Sequence, residues 1–383
     1  MTMPTTARRR HVVHLVYRFA AGGLENVIVQ LVNGLPADEF RHTVVALTEV
    51  DPAFAQRVVP RDVEFVALHK PPGQPVRLYP AAYRLFRRLR PDVLHSCNLA
   101  PLEFAPVAAA AGVRRRIHAE HGWDIRDPDG SNRRYQWLRR AYRPFVQEWV
   151  AVSPQLVDYL RHRIHISPEK VHFVANGVDT QRFRPHRSTD PIPAGFPFRR
   201  PDHWVIGTIG RLEPIKNQPL LAEAFVRLVR QGGAGHERLR LAVIGAGPLE
   251  GAVREILRNA GLEPRLWLPG ARADVPDILR ALDCFVLPSL SEGTSCTLQE
   301  AMATALPVVA TDVGGNRPLL ADGALGELVP SADAAALAEA LRRAGEARDA
   351  AVDHRLQAAR AAMEREFSLA SVLARYQRLF VKE

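Results

Sequence analysis

The most informative segment of the chain is Ser291-Glu292-Gly293-Thr294-Ser295-Cys296-Thr297-Leu298-Gln299-Glu300-Ala301, shortly after the apolar run Cys284-Phe285-Val286-Leu287-Pro288. The apolar run predicts a buried strand, and residues 298–304 predict a helix. A small polar loop between a strand and a helix start leaves backbone N–H groups free at the positive end of the helix dipole. Such a junction is a binding site for anions, phosphate in particular.

Two carboxylates flank this predicted anion site. Glu292 lies in the loop, and Glu300 lies about one turn into the helix. A carboxylate beside a phosphate is usually unfavourable, so these groups need another role, and the natural one is to accept hydrogen bonds from hydroxyl groups. A ligand that carries both phosphate and hydroxyl groups is a nucleotide sugar, and the stretch predicts such a ligand.

Short apolar segments alternate with amphipathic ones along almost the whole chain. Strands are predicted at 11–17, 42–47, 63–68, 93–96, 116–120, 148–152, 171–174, 204–209, 239–244, 265–268, 284–287 and 307–310. Helices are predicted between them, among others at 24–35, 80–89, 155–162, 219–230, 249–260, 275–282, 334–344 and 355–366. Apolar strands joined by amphipathic helices indicate parallel sheets covered on both faces. The pattern predicts an α/β protein with two doubly wound, Rossmann-like domains facing a cleft, and ligands of such sheets bind beyond the carboxyl ends of the strands.

Proline marks the expected boundary between the domains. Five prolines crowd residues 183–203, which lack periodicity. We predict a first domain over 1–185 on the acceptor side, a linker over 186–203, and a nucleotide-sugar-binding domain over 204–367. Residues 368–383 are predicted as a final helix that packs back on the first domain.

The net charge of +10 is unevenly distributed. Up to residue 190 the chain has 28 Lys and Arg against 18 Asp and Glu, and the remainder has 23 of each. Residues 83–90 and 133–143 combine arginine with aromatic residues at helical spacing. This pattern is compatible with an anionic membrane surface, with nucleic acid, or with a solvated arginine-rich helix face.

Composition also bears on location. No uncharged apolar run reaches 18 residues, and the first apolar segment is too short for a signal peptide. The three scattered cysteines, Cys97, Cys284 and Cys296, argue against a disulfide framework or zinc site and favour a reducing compartment. We expect a cytoplasmic protein, peripheral at the inner face of the plasma membrane.

A second constellation follows the strand at 204–209. Gly210 allows a close turn, and Arg211 and Lys216 lie five residues apart before a helix start. Arginine forks onto phosphate oxygens and lysine adds a compact charge. By itself the segment also fits a solvated turn before an ordinary helix cap, but beside the Glu292 loop it favours phosphate binding.

Two glycine-rich turns are less specific. Gly245-Ala246-Gly247 resembles a dinucleotide fingerprint, but the acid expected after the next strand is missing, which favours a tight turn. Gly22-Gly23 follows the first strand and precedes a helix, so it fits either close ligand approach or a plain turn.

Histidines in the first half raise the question of a metal. His118 and His121 lie three residues apart, which in a strand puts them on opposite faces, so we predict no metal site. His121, at the strand end, is the better candidate for ligand contact, and His118 the better candidate for a buried structural histidine. Asn176-Gly177 is a strong turn signal.

Taken together, these motifs resemble the retaining, nucleotide-sugar-dependent glycosyltransferases of family four, which have the two-domain GT-B fold. Glu292 and Glu300 match the Glu-x7-Glu motif, and Gly210-Arg211 with Lys216 is similar to the diphosphate signature. Four further segments occur in the same order along the chain as the corresponding motifs of the family: Gly22-Gly23, His121-Gly122, Asn176-Gly177-Val178-Asp179 and Val313-Gly314-Gly315-Asn316. The His-Gly-Trp-Asp context is similar to transferases associated with bacterial exopolysaccharide or exosortase loci.

The resemblance implies roles for particular residues. Arg211 and Lys216 would hold the donor diphosphate, assisted by backbone N–H groups of the loop, and Glu292 would bind sugar hydroxyls. Glu300 would bind the ribose, and His121 would face the transferring sugar. The other donor-binding residues implied are Gly22, Gly23, Gly210, Gly270, Gly293, Thr294, Ser295, Cys296 and Thr297. Where the family often continues Gly-Gly-Asn with Pro-Glu, this chain has Arg317-Pro318.

The predicted activity is retaining transfer of a hexose from a nucleoside-diphosphate sugar, with UDP as the expected nucleotide, to a polysaccharide or lipid-linked acceptor. No cofactor is expected, and Asp127-Pro128-Asp129 lies in the first half, away from the diphosphate elements, so the transfer is predicted to be metal-independent. Two other functions remain open at this point: a nucleotide-dependent oxidoreductase, based on Gly245–Gly251, and a nucleic-acid-binding protein, based on the basic first half. The acidic pair Glu292 and Glu300 favours neither, and we expect no nucleic-acid partner.

Overall fold

A computed structural model of the chain describes residues 8–382 apart from 61, 74, 125, 126, 128, 234 and 347–349, with backbone alone at 350–352. Pro128, in the middle of the Asp-Pro-Asp stretch, therefore lies outside the described residues. The chain divides into two compact units: unit 1 is Met1–Gly177 with Leu369–Glu383, and unit 2 is Val178–Ser368.

Unit 1 is built on a parallel sheet of seven strands in the order β3-β2-β1-β4-β5-β6-β7. The strands are β1 (Arg10–Val16), β2 (Phe40–Ala46), β3 (Glu64–Ala67), β4 (Val93–Cys97), β5 (Arg115–Glu120), β6 (Glu148–Ala151) and β7 (Val171–Phe173). The helices that join them are α1 (Gly23–Gly34), α2 (Pro52–Ala55), α3 (Tyr79–Leu89), α4 (Leu99–Leu102), α5 (Ala105–Ala110), α6 (Arg133–Tyr142) and α7 (Pro154–Asp158), which continues as a π-helical turn over Tyr159–Arg163.

Unit 2 has a parallel sheet of six strands in the order β10-β9-β8-β11-β12-β13. The strands are β8 (Trp204–Ile209), β9 (Leu239–Ile244), β10 (Leu266–Trp267), β11 (Cys284–Leu287), β12 (Val308–Thr311) and β13 (Glu327–Val329). Its helices are α8 (Gln218–Gln231), α9 (Glu250–Asn259), α10 (Val275–Ala281), α11 (Cys296–Ala303), α12 (Asn316–Leu319), α13 (Ala334–Glu346) and α14 (Ala350–Glu366).

The predicted α/β class with two doubly wound parallel sheets is confirmed. Central strands such as β11 are buried on both faces because α8 and α13 cover one side and α10, α11 and α14 the other. The sequence did not predict β13, because it has three residues of which two are only partly buried. It forms through its pairing with β12, in which Val309 lies opposite Glu327.

The division between the units falls after Gly177, earlier than the proline-rich stretch that we expected to be the linker. Phe196 and Phe198 lie in that stretch and are buried in the core of unit 2, together with Phe183. Residues 186–203 are therefore part of unit 2 rather than a free linker, because their aromatic side chains have a core to pack into.

The last helix, α15 (Leu369–Val381), belongs to unit 1. Val372, Tyr376, Leu379 and Phe380 lie in the same buried cluster as residues of α1 and β1. Arg115 at the start of β5 donates a hydrogen bond to the carbonyl of Leu379 over 2.7 Å, which anchors the helix to the sheet. Among the described residues, no helix combines the length and apolar character needed to cross a bilayer.

Candidate functional site

In unit 2, the loops at the carboxyl ends of neighbouring strands are bonded to one another. The loop after β8 joins the loop after β9, since Gly210 N–H donates to the Ile244 carbonyl at 3.0 Å and Leu212 N–H donates to the Ala246 carbonyl at 2.9 Å. The loop after β9 joins the loop after β10 through Gly245 N–H and the Gly270 carbonyl at 3.0 Å. Gly210 and Gly270, both predicted as donor-binding residues, therefore share one edge of the sheet.

The glycine pair after β12 packs directly on the Glu292 loop. A Cβ on Gly314 would lie 1.8 Å from the Glu292 carbonyl oxygen, and a Cβ on Gly315 would lie 1.8 Å from the Gly293 carbonyl oxygen. Gly314 also has a φ of +51°, in the left-handed region that favours glycine. The two glycines are required here because any side chain would force the two loops apart.

The Glu292 loop ends in the helix that the sequence predicted. Ser295 is the N-cap of α11, and its Oγ accepts from the N–H of Leu298 at 3.3 Å. Because of this cap, the helix begins two residues before the predicted start. Ser295, Cys296 and Thr297 thus form the positive end of a helix at the sheet edge, with Gly293 and Thr294 just before it, and Glu300 follows within the helix.

The centre of the site is an ion pair. Lys216 Nζ donates to Glu292 Oε1 at 2.6 Å, and Ser289 Oγ donates to the same oxygen at 2.6 Å. Glu292 is buried, with 8% of its surface exposed, and the Lys216 side chain is 24% exposed. The loop N–H of Leu290 also donates to the Ile215 carbonyl at 2.8 Å, so the lysine segment and the acidic loop are fixed to each other.

Arg211 lies on the same segment as Lys216 but has a different environment. Its guanidinium donates to Glu213 at 2.7 Å and its side chain is 56% exposed. Its carbonyl accepts from the Gln218 side chain at 2.9 Å, which links it to the first residue of α8. The backbone of Arg211 is therefore fixed while its side chain remains accessible to solvent.

Sequence reasoning missed two polar residues of this site. Ser289 is fully buried against Glu292, and Gln218 holds the carbonyl of Arg211. A small hydroxyl residue that follows an apolar strand and a proline was an available signal for Ser289. Gln218 gave no comparable signal, because a glutamine at a helix start is common on a solvated surface.

At Arg317 the chain departs from the family pattern, and the contacts of this side chain show how its charge is accommodated. Its guanidinium pairs with Asp312, with Nε 3.0 Å from Oδ1, and lies 3.6 Å from Asp322. Arg317 is half exposed, and these two carboxylates offset its charge. The residue therefore adds no free cation to the sheet edge.

The glycine turn after β9 fits the tight-turn interpretation. Gly245 has a φ of +144°, and a Cβ there would lie 1.8 Å from the Gly210 carbonyl oxygen. A Cβ on Gly247 would likewise lie 2.4 Å from the Leu212 carbonyl oxygen. These glycines are explained by the packing of the β8 and β9 loops.

In unit 1, the predicted residues lie at the carboxyl ends of β1 and β5. Gly22 and Gly23 form the start of α1, whose first turn carries Glu25. His121 follows β5, and its N–H donates to the Asn98 side chain at 2.8 Å. Burial lowers the pKa of His121 to about 4, although the Asn176 side chain and the charge of Glu120 act in the opposite direction. At neutral pH the imidazole is uncharged.

His118 has the structural role expected of it. It is fully buried, Nδ1 lies 2.9 Å from Ser96 Oγ, and Nε2 lies 3.3 Å from Glu120. Arg139 binds the same carboxylate with two hydrogen bonds, of 2.5 and 3.1 Å. Burial opposes the charge on Glu120, but the guanidinium outweighs it and holds the pKa of this carboxyl at about 2. This network supports the end of β5 from which His121 extends.

Comparison with known proteins identifies the class. Residues 21–182 match the model of Glycosyltransferase Family 4, and residues 203–346 match that of Glycosyl transferases group 1. A UDP-Gal:alpha-D-GlcNAc-diphosphoundecaprenol alpha-1,3-galactosyltransferase of Escherichia coli is 25% identical over 85% of this chain and 86% of its own length. A D-inositol 3-phosphate glycosyltransferase of Frankia alni is 33% identical, and the match covers 51% of each protein.

Solved structures agree on the fold. A glycosyltransferase from Rickettsia africae superimposes with a TM-score of 0.80 at 17% identity, covering 97% of this chain and 98% of that one. Anabaena HepE, crystallised in complex with UDP and glucose, superimposes with a TM-score of 0.77 at 19% identity, covering 97% and 99%. The chain belongs to the family-four-like glycosyltransferases of the GT-B fold. Neither the oxidoreductase nor the nucleic-acid-binding alternative finds support in these matches.

Proposed function

We propose that this glycosyltransferase moves a hexose from a nucleoside-diphosphate sugar to a hydroxyl acceptor, with retention of the anomeric configuration. The observation that carries the proposal is the Lys216–Glu292 pair at the N-terminus of α11. A cation, a carboxylate and a helix dipole within one sheet edge match a ligand that has both a diphosphate and sugar hydroxyls.

Charge stabilisation is the main catalytic contribution that we propose. Departure of the nucleoside diphosphate builds negative charge on phosphate oxygens, which Lys216, Arg211 and the N–H groups at the start of α11 would stabilise. The exposed Arg211 side chain is accessible to a diphosphate. Donor binding would draw Lys216 towards the phosphate, and Glu292 would then accept hydrogen bonds from the sugar while Ser289 still donates to it.

Retention is proposed from the resemblance to the retaining glycosyltransferases of family four. The acceptor hydroxyl would attack on the face from which the diphosphate departs and pass its proton to that leaving group. Glu300 is assigned to the ribose, and Gly22, Gly23 and the uncharged His121 to the donor, as the family resemblance implies. His121 would stabilise the sugar rather than attack it.

Metal independence of the transfer belongs to the proposal. Lys216 and Arg211 supply the positive charge that a divalent cation would otherwise provide. Asp127 and Asp129 belong to unit 1, and the Asp127 carboxylate already accepts from the Asn132 N–H at 2.9 Å. We propose that no cofactor takes part.

UDP is the proposed nucleotide, and a lipid-linked or polysaccharide chain the proposed acceptor. The Escherichia coli relative is named for UDP-Gal and a diphosphoundecaprenol-linked sugar. HepE has also been crystallised with UDP-glucose. A role in glycolipid or cell-surface polysaccharide synthesis is consistent with both.

We also propose that unit 1 rests on the anionic inner face of the plasma membrane, with the protein otherwise in the cytoplasm. Trp137 on α6 is 65% exposed and lies among Arg133, Arg134 and Arg140, and Tyr83 on α3 is 41% exposed. The two helices are close, since burial and a hydrogen bond between the Tyr79 and Tyr142 side chains together raise the pKa of Tyr79. Arginine with exposed aromatic side chains suits a lipid headgroup surface.

A thermal-shift screen of UDP- and GDP-linked sugars, followed by transfer assays in excess EDTA, tests the proposed function. We expect a UDP-sugar to raise the Tm by several degrees and transfer to continue in EDTA, because binding to the native state stabilises it by mass action. No shift with any nucleotide sugar would contradict the donor site. Loss of activity in EDTA that Mg²⁺ restores would contradict metal independence.

A further inference from the structure

A group of soft ligands lies in the interior of unit 1. Among the described residues, His95, Cys97 and His121 each offer one ligand atom, and these atoms all lie within 4.8 Å of one another. His95 and Cys97 are on β4 and fully buried, and His121 follows the neighbouring strand β5. Sequence reasoning missed this group, because it paired His121 only with His118 and took the scattered cysteines to argue against a zinc site.

A second observation concerns a buried hydroxyl group next to His95. The Tyr376 hydroxyl on α15 is buried, with 1% of the residue exposed, and makes no hydrogen bond among the described residues. The centroid of its ring lies 5.3 Å from that of the His95 ring. A buried polar atom without a partner calls for an explanation, and a bound ion with its water molecule is one.

The surroundings of His95 resemble the support of a metal-binding histidine. His95 Nδ1 lies 3.0 Å from His14 Nδ1, and His14 Nε2 lies 3.0 Å from His42 Nδ1. When His95 Nδ1 donates its proton to His14 in this row of histidines, His95 Nε2 carries the lone pair that a metal requires. Metal-binding histidines commonly use their second nitrogen in such a hydrogen bond, which fixes the tautomer.

We propose that His95, Cys97 and His121 bind a soft divalent cation of the Zn²⁺ class. Two imidazoles and a thiolate form a ligand set that Zn²⁺ prefers, and a water molecule would complete the tetrahedron beside the Tyr376 hydroxyl. The Cys97 sulfur lies 3.8 Å from His95 Nε2, close to the ~3.5 Å expected between a sulfur and a nitrogen ligand of a tetrahedral Zn²⁺. The cation takes no part in sugar transfer. By engaging His121, it would withdraw this residue from the donor.

Cobalt substitution of the metal-free, full-length protein is the test. We expect one equivalent of Co²⁺ to give a thiolate-to-cobalt charge-transfer band that Zn²⁺ abolishes. Cys97→Ser should remove the band and weaken Zn²⁺ binding by more than the ~10- to 100-fold that loss of an outer-shell partner of a metal ligand costs. Cys296→Ser, which removes the partly exposed thiol in unit 2, should leave both unchanged. Absence of the band, or its persistence in Cys97→Ser, would overturn the proposal.

X-ray absorption of the Zn²⁺-loaded wild-type protein covers the case in which Cys97→Ser does not fold. One sulfur neighbour at about 2.3 Å with nitrogen neighbours at about 2.0 Å would support the site. A shell of oxygen and nitrogen alone would contradict it. Lys216 and Glu292 play no part in this site, so failure of the nucleotide-sugar screen and failure of metal binding are separate results.

Discussion

Lys216 Nζ lies 2.6 Å from Glu292 Oε1, which joins a residue before α8 to a residue 76 positions later in the loop before α11. The pair links the segment proposed to bind the diphosphate with the carboxylate proposed to bind the sugar. Glu292 is buried and Lys216 is partly buried. Each charged group is therefore stabilised by the other when no donor is bound.

The first prediction concerns this pair. Lys216→Met should lower kcat/KM by about two decades or more, since it removes a charge placed where phosphate charge develops. It should also lower the Tm, because the buried Glu292 loses its cation. The double variant Lys216→Met/Glu292→Gln should recover the Tm but not the activity. Calorimetry and transfer assays measure both, and a double variant as unstable as the single one would contradict the coupling.

A second prediction concerns Arg211. Arg211→Ala should reduce turnover by about two decades while the Tm changes little, because the exposed side chain contributes little to stability. Arg258→Ala is the matched control, since Arg258 on α9 is also exposed and paired, with Glu263 at 3.0 Å. Near-normal turnover of Arg211→Ala would remove the residue from diphosphate binding.

The third prediction tests the close contact between loops. Gly315→Ala should lower stability by about 1–3 kcal/mol and impair donor binding, because the new Cβ would meet the Gly293 carbonyl. Gly251→Ala, in the exposed first turn of α9 with open space around it, should be neutral or stabilising by up to about 1 kcal/mol. Urea denaturation compares the two, and equal stabilities would show that the loops have room to move.

A fourth prediction concerns acid stability. Burial, with a smaller effect from the charge of His11, lowers the pKa of His42 to about 4, whereas an unfolded histidine titrates near 6.5. Between these values the unfolded chain binds more protons, so the free energy of unfolding falls as the pH is lowered from about 6.5 to about 4. His42 alone accounts for up to about 3 kcal/mol of this loss.

Urea denaturation at several pH values between 4 and 8 measures the slope. His42→Gln should make the slope shallower below pH 6.5, where the other buried histidines still contribute, and leave the region above pH 7 unchanged. A variant with the full wild-type slope would show that His42 is not the group that titrates.

The fifth prediction concerns the membrane surface. The protein should float with vesicles that contain anionic lipid, and Trp137→Ser should reduce the bound fraction several-fold, because an interfacial aromatic anchor is lost. Phe173→Ser is the control, as Phe173 is another aromatic residue of unit 1 and is 40% exposed. Equal binding to neutral and anionic vesicles would argue against this surface.

Much of the site was readable from the chain, because strand, loop and helix start are contiguous there. Gly210, Glu292 and the start of α11 each follow a buried parallel strand, and the carboxyl ends of parallel strands meet at one edge. The sequence could therefore predict that these residues come together. It could not predict the pairing of Lys216 with Glu292 or the support from Ser289, which depend on side-chain geometry across two strands.

By itself, the sequence determined the fold class, the two parallel sheets and the family, since these follow from periodicity and from motifs local in the chain. The tertiary structure alone decided which charges neutralise each other, such as Arg317 with Asp312, and where the boundary of unit 2 lies. It alone brought His95, Cys97 and His121 together from neighbouring strands. The physical reason is that burial and contact between distant residues arise from packing, and local pattern does not encode them.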